Sequence, residues 1–274
     1  MSISPFDETN HTEPGDVILT HANAVATLIL SRPRYLNAMT WTMYSRLAEH
    51  IDAVIQDPSV RVMVLRGEGS KALAAGTDIY QFSDFDGRQG VEYEKKIDTI
   101  VSLLGALPKP TVAAVQGYAV GGGMALAAAC DLRYANTSAR IGIPIARTLG
   151  NCLAFSTYRR LTELMGASKV KELLYTGRLM TADEAKAVGF ITDVFNDDSF
   201  ESRLNDVVAT IASHAPLTLW ATKTAFLRWE ENTRATIDQN VPFDDVIERV
   251  YESQDFREAV RSRLSKESPR WTGR

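Results

Sequence analysis

Hydrophobic and polar positions recur along this chain with two periods, and the switches between them lay out its elements. "DVILT" and "AVATLIL" are β-rich runs separated by His21-Ala22-Asn23, which predicts a hairpin turning at those residues. Thr40 to Gln56 carries Met43, Leu47, Ile51 and Ile55 at a spacing of four, one face of an amphipathic helix stopped by Asp57-Pro58. "RVMVLRG" reads as a short buried strand. "GVEYEKKIDTIVSLLGALPKP" puts Ile97, Ile100, Val101 and Leu104 on one helical face ahead of a proline stop. "TVAAVQG" returns to a strand, Gly123 to Ala129 to a helix, and "DLRYA" to a strand. From Leu153 onward the pattern is helical. "TADE", Thr181 to Glu184, has the form of a capping box, in which the Thr hydroxyl and the Glu carboxylate each satisfy a free backbone N–H. Strand–helix alternation followed by helices predicts an α/β core with a helical C-terminal extension. The divisions expected are a polar tail over 1–15, a core over 16–200 and a helical region over 201–274.

Composition narrows this only a little. A chain of 274 residues, 45% hydrophobic and 23% charged, has material for a real core. Its net charge of −4 and pI near 5.7 argue against a nucleic-acid-binding surface. Cys130 and Cys152 have neither metal-ligand spacing nor the density of a disulfide scaffold, so no metal site is expected. The opening "MSISPFDETNHTEPGD" has no basic start and no apolar block, so it does not read as a signal peptide. The uncharged stretch from Tyr118 to Cys130 is too short for a membrane span and carries turn residues, so no membrane partner is expected. A reducing cytoplasm is the expected compartment.

The chemistry concentrates at two glycine turns. "QGYAVGGGMALAAACD" places Gly121, Gly122 and Gly123 between a strand and an Ala-rich helix. A helix N-terminus has free N–H groups and a partial positive charge, and missing side chains let a ligand oxygen reach the backbone. The dinucleotide fingerprint fails because Leu126 stands where its last glycine belongs. The P-loop fails at Met124-Ala125, and no serine supplies a nucleophile elbow. Close helix–sheet packing with no ligand explains the glycines equally well in isolation. The second turn, "SKALAAGTDIYQF", follows the strand "RVMVLRG" and opens a predicted helix at Asp78. Two strand–glycine–helix junctions could each aim one N–H at a shared oxygen. Such an oxyanion hole is worth about 3–4 kcal/mol per donor where a carbonyl becomes an enolate.

With these turns in view, the chain resembles the crotonase (enoyl-CoA hydratase/isomerase) superfamily. "SRPRYLNAM" is similar to its N-R-P-x-x-x-N-A segment and "AAGTD" to its A-G-x-D loop. "QGYAVGGGMAL" is similar to its N-G-x-A-x-G-G-G loop, with Gln116 for the usual Asn. "CDLRYANTSARIGIP" and "LLYTGRLMTADEAKAVGFITDVF" resemble two further segments in the same order. The resemblance implies an α/β fold, a ββα spiral core with a C-terminal helical trimerisation region. It also implies homotrimers or homohexamers and an acyl-CoA substrate bound as a bent hook. Coenzyme A is then part of the substrate, and no separate cofactor is implied. The oxyanion donors carry over to the backbone N–H groups of Thr77 and Gly122. The matching contact regions are Arg34 and Leu36, the loop Ala75, Gly76, Thr77, Asp78, Ile79 and Tyr80, and Gly121 and Gly122. Arg34 could pair with a coenzyme phosphate or lie on the solvated surface.

The resemblance also implies what this chain lacks. Family hydratases carry two catalytic glutamates, and here Ala125 and Ile145 (Ala146 in a shifted match) occupy those positions. Syn addition of water needs a base and an acid, so ordinary hydration should be very slow. The remaining polar candidates follow the second gap. Arg147 could hold an acyl carboxylate or form a surface salt bridge. Asn151 could orient water or serve a turn, and Cys152 could be a nucleophile or core. Asp78 fits a helix cap. Tyr80, Asp84, Asp86 and Tyr93 lie in a stretch that shapes the acyl pocket in this family. The histidines His11, His21, His50 and His214 are scattered, and Trp41, Trp220, Trp229 and Trp271 suit packing or interfaces. Three functions remain open: an enoyl-CoA hydratase/isomerase-type enzyme with non-standard acid/base groups, a CoA-thioester decarboxylase or hydrolase, or a non-catalytic acyl-CoA-binding protein.

Overall fold

The computed structural model describes residues 13–82, 85–236 and 241–274. His11, Asp84 and most of the expected polar tail lie outside these residues. The chain opens with an antiparallel hairpin of β1 (Asp16–Ala22) and β2 (Val25–Ser31). Its turn is Asn23-Ala24, with φ of 48° and 63°, so His21 and Ala22 belong to the strand rather than the turn. Two consecutive positive φ values give the tight turn whose twist matches that of the strands it joins.

The amphipathic helix α1 (Trp41–Gln56) starts where expected, with the Thr40 hydroxyl accepting from Met43 N–H at 3.3 Å. Met43, Leu47 and Ile51 are buried, but Val54 takes the next inward position and Ile55 is only partly covered. Steps of four overshoot a 3.6-residue turn, so the buried stripe drifts back by one residue.

The next three units repeat one plan. β3 (Val62–Gly67), β4 (Ala72–Ala74) and α2 (Gly87–Gly105) form the first. β5 (Thr111–Val115), β6 (Tyr118–Val120) and α3 (Gly122–Ala129) form the second. β7 (Leu132–Asn136) and β8 (Arg140–Gly142) lead into α4 (Ile145–Thr148), α5 (Phe155–Met165) and α6 (Ala167–Thr176). In every unit the first strand joins one sheet and the second strand another. The larger sheet runs β1-β2-β3-β5-β7-β10 and the smaller β4-β6-β8-β9, where β9 is Met180–Thr181 and β10 is Asp193–Phe195. From β2 to β10 the larger sheet is parallel, as is the smaller from β4 to β8. The chain is therefore an α/β protein wound as a ββα spiral.

Parallel strands covered on both faces read as unbroken apolar runs, which "VMVL" and "VAAV" are. One face of the larger sheet meets α1, α2 and α3 in the main core. The other face, through Val62, Val64, Val112 and Ala114, is covered by Phe200, Leu204 and Val208 of α8 (Phe200–Ser213). Between the strands β9 and β10 lies α7 (Ala182–Ala187). Both strands fall in the region where the sequence pattern suggests helices only. Segments of two and three residues are too short to show alternation. The Thr181 hydroxyl caps α7 by accepting from Glu184 N–H at 3.2 Å. The reciprocal half of the capping box is absent, because the Glu184 carboxylate is taken by Arg178 and Lys169.

Three helices complete the chain: α9 (Pro216–Thr236), α10 (Asp244–Tyr251) and α11 (Gln254–Leu264). α10 packs along α2, where Gly87 and Gly90 leave no side chain in its way. A Cβ on Gly90 would overlap the ring of Tyr251. No described helix is long and apolar enough to cross a membrane.

Candidate active site

The two glycine junctions meet. Residues 36–39 pin the first of them: Ala75 N–H donates to the Leu36 carbonyl at 3.0 Å and Met39 N–H to the Gly76 carbonyl at 2.8 Å. Asp78 N–H then donates to the Met39 carbonyl at 2.9 Å, closing a parallel bridge opposite Thr77. In such a bridge the central residue turns its own N–H and C=O away from its partner strand, so the Thr77 N–H faces away from Met39. Asn37, at φ 55°, braces the segment: its side-chain amide donates to the Ala72 carbonyl at 2.8 Å.

The neighbouring backbone is that of the three glycines. A Cβ built on Gly76 would stand 4.0 Å from the Gly122 nitrogen, and one built on Gly122 would stand 3.6 Å from Thr77 Oγ1. Each glycine answers a different constraint. Gly121 has φ 56°, a Cβ on Gly122 would lie 2.9 Å from the Tyr44 hydroxyl, and one on Gly123 would overlap the Ala74 carbonyl oxygen. Gly122 is the first residue of α3, so its N–H has no acceptor within the helix and sits at the positive end of the helix dipole.

Behind this floor runs a row of hydroxyls. Tyr44 Oη and Tyr93 Oη both meet Thr77 Oγ1, at 2.8 Å and 2.9 Å. Burial raises both phenols above their ordinary range, so they act as neutral hydroxyls. Next to Tyr93 in the chain is Glu94, only 4% exposed. Its carboxylate accepts from Tyr251 Oη at 2.6 Å and from the Ala154 amide. Burial pushes the Glu94 carboxyl up to about 8, against the lowering effect of those two hydrogen bonds. Asn151 donates to Tyr251 Oη at 3.2 Å, while its Oδ1 is buried without a partner.

Thr77, Tyr93, Glu94 and Asn151 line one cleft of about 960 Å³, with Tyr44 and Tyr251 behind its wall. One end is apolar, with Phe82, Ile97, Ala125, Leu149 and Leu153. The glycine backbone, Tyr93 and Glu94 also line the cleft, as do the exposed basic residues Lys71, Arg140 and Arg263. Among the residues expected from the sequence, Leu36, Ala75, Gly76, Thr77, Ile79, Gly121, Gly122, Arg147 and Asn151 all line the cleft.

Three of the expected contact residues do not line it. Arg34 is exposed on a 3₁₀ turn. Asp78 opens a 3₁₀ turn, Ile79–Phe82, rather than an α-helix. Its carboxylate accepts from Tyr80 N–H at 3.1 Å and pairs with the fully buried Arg32 at 2.8 Å. Tyr80 is 42% exposed. Burial raises the Cys152 thiol to about 12, which leaves it inert, and Cys130 is likewise buried. His50 bonds the Val17 carbonyl at 2.8 Å, and Asp86 caps α2 together with Gln89. Among the described residues no group of three or more His, Cys, Asp or Glu is placed to hold a metal.

Glu94, Tyr251, Lys71, Arg140 and Arg263 were missed by the sequence reading. Glu94 did carry a signal. It precedes Ile97 by three residues and Val101 by seven, which places a carboxylate in the buried stripe of α2.

The same architecture and loops occur in known proteins. The profile of the family described as enoyl-CoA hydratase/isomerase matches residues 20–274. The Bacillus subtilis protein YngF, assigned to that group, is 33% identical over 86% of this chain and 94% of its own length. A crotonyl-CoA hydratase of Syntrophomonas wolfei is 29% identical over 92% of this chain and 95% of its own. Among solved structures, methylmalonyl-CoA decarboxylase complexed with 2S-carboxypropyl-CoA superposes with a TM-score of 0.82. Identity there is 26%, with 94% of this chain and 98% of that one covered. The chain belongs to the enoyl-CoA hydratase/isomerase family and is an enzyme of the crotonase superfamily.

Proposed function

We propose that the cleft binds an acyl-CoA thioester and stabilises its enolate between the backbone N–H groups of Thr77 and Gly122. One observation carries this reading: the Gly76–Thr77 and Gly121–Gly122 backbones approach each other with no Cβ between them. Such a gap admits an oxygen atom, and two fixed donors cost no reorganisation as charge develops on it. The apolar end suits an acyl chain. Lys71, Arg140 and Arg263, exposed along the cleft lining, suit coenzyme phosphates. Coenzyme A enters as part of the substrate, with no further cofactor.

Ala125 and Ile145 line the cleft; on the resemblance, Ala125 and Ile145 (or Ala146) replace the two family glutamates, and none of them can carry a proton. The acid/base group must therefore come from another element, and hydration of crotonyl-CoA should be very slow. Decarboxylation of a malonyl-type thioester is the second reading. It needs no base, since loss of CO₂ leaves its electron pair in the enolate. Arg147, exposed on the cleft wall where Gly177 gives its stem room, is placed to hold the departing carboxylate. The likeness to methylmalonyl-CoA decarboxylase supports it.

α9 leaves Leu217, Trp220, Phe226 and Trp229 exposed, an apolar surface that fits further copies in a homotrimer or homohexamer. The free thiols Cys130 and Cys152 suit a reducing compartment such as the cytoplasm.

Acetoacetyl-CoA tests the central reading, because its enolate absorbs in the near ultraviolet. Binding should raise that absorption, and Gly122→Val should abolish the rise. Binding with no gain of enolate, as for a protein that only carries acyl-CoA, would overturn it.

A further inference from the structure

The strongest unassigned feature of the molecule is a carboxyl group in the wall of the cleft that the usual chemistry of the glycine loops does not use. We propose that Glu94 takes and returns the proton on the acyl chain in this cleft, with Tyr251 holding it in position; this rests on the acyl-thioester reading above.

Three observations converge on it. The first is placement. Glu94 lines the same cleft as Gly122 and Ala125, and follows Tyr93, whose hydroxyl lies 2.9 Å from Thr77 Oγ1. Glu94 and the oxyanion floor thus open onto one space. The second is construction. Gly90, one turn earlier on α2, clears the space that the Tyr251 ring occupies, and Tyr251 Oη then donates to Glu94 at 2.6 Å. Asn151 in turn donates to Tyr251 at 3.2 Å, which fixes the phenol from the other side. The third is cost. A carboxyl buried among apolar groups is expensive when ionised, a penalty that a neutral side chain there would not carry. An ionisable group held at that cost in the cleft wall points to use of its proton.

The surroundings explain how it would work. From α2 itself Tyr93 and Asp98 face Glu94, from α10 Tyr251, from α5 Tyr158, from the loop before it Cys152, and from α1 Tyr44. The phenols and the thiol are neutral at pH 7, and Asp98 is an acid, so none of these neighbours supplies a cation to hold Glu94 ionised. Lys95, next in the chain, is paired with Asp244. Burial holds the carboxyl near 8, close to working pH, where one group can serve as acid and base in turn.

In the forward step the Glu94 carboxylate takes the Cα proton. The C–H electron pair moves into the thioester, whose oxygen takes the negative charge between Thr77 and Gly122. The carboxylic acid so formed returns the proton to Cα. In an unsaturated chain it could return it to Cγ, which shifts the double bond. In a decarboxylation the acid form would protonate the enolate left by CO₂. After decarboxylation Glu94 takes its next proton from water, and exchange of its acid proton with solvent between the two transfers carries deuterium to Cα; no other reactant is required.

The test is deuterium incorporation at Cα of butyryl-CoA in D₂O, followed by NMR, with binding of butyryl-CoA measured by calorimetry. Wild type should exchange, with a rate rising through a pH near 8. Glu94→Gln should bind within about threefold of wild type yet exchange at least about 100-fold more slowly. Glu94→Asp should recover part of that loss. Tyr251→Phe should move the midpoint to higher pH, because the phenol's hydrogen bond lowers the acid's pKa. A folded Glu94→Gln that exchanges at the wild-type rate overturns the proposal, as does wild type that binds without exchange. Failure of wild type to bind butyryl-CoA overturns the acyl-thioester reading itself.

Discussion

The floor of the cleft and its acidic wall are built from different materials. The floor is backbone. Thr77 and Gly122 contribute N–H groups, and the residues around them are glycine because a side chain would strike Tyr44, Ala74 or the opposite loop. The wall is side chain: Glu94 on α2 held by Tyr251 on α10, residues 157 positions apart in the chain. A backbone device constrains its own sequence, since only glycine satisfies the close approach and positive φ. A side-chain device depends on which helices happen to pack, and leaves a much fainter trace.

The sharpest break should come at the floor. Gly123→Val would drive a side chain into the Ala74 carbonyl and force α3 away from β4. Enolate formation from acetoacetyl-CoA should be lost entirely, with a fall in thermal midpoint. Retained enolate absorption in a folded variant would show that the α3–β4 contact does not set the site.

Next in size is the wall, where stability and function should move in opposite directions. The Glu94 carboxyl titrates near 8 in the folded chain against an ordinary value of 4.5. Its folded pKa is raised, so its contribution to stability is fully present below pH 4.5 and is lost as pH climbs through 8. Glu94→Gln, which stays neutral, should match wild type at pH 4 and be more stable by a few kcal/mol at pH 8 in urea titrations. Equal stability at both pH values would mean that the carboxyl is not held protonated.

Much of this contrast was legible beforehand. The strand–helix alternation showed in the apolar runs, as did the stretch that forms α1 and both glycine turns, whereas the second strand of each ββα unit, three residues long, left no pattern and the spiral came from the resemblance alone. The wall escaped because Glu94 reads as one of many charged residues in "VEYEKKID", and nothing in that string says that α10 lies across it. Gly90 is the clue, but its reason, the Tyr251 ring, comes from a distant segment. Arg34 stayed open between a coenzyme phosphate and the solvated surface, because a basic residue beside a matching motif says nothing of the turn that leaves it exposed. Asp78 looked like an ordinary cap because the burial of Arg32 beneath it is a tertiary fact.

A smaller effect should come from the hydroxyl row that links floor and wall. Thr77→Val leaves the buried Tyr44 and Tyr93 hydroxyls without their shared partner. The cost should be about 1–3 kcal/mol for each group left unsatisfied, read from the urea midpoint. Binding of butyryl-CoA should persist, since the Thr77 amide is untouched. The smallest effect belongs to the mouth. Lys71→Ala or Arg140→Ala should weaken binding of coenzyme A by only a few fold, and less at high salt, because both groups are exposed. Binding that is insensitive to both would place the phosphates elsewhere.

The decisive measurement is a crystal structure with butyryl-CoA bound. The thioester oxygen should lie about 3 Å from both the Thr77 and Gly122 nitrogens, with the Glu94 carboxyl facing Cα. A thioester oxygen bound away from either nitrogen would contradict the enolate-stabilising role on which the whole assignment stands.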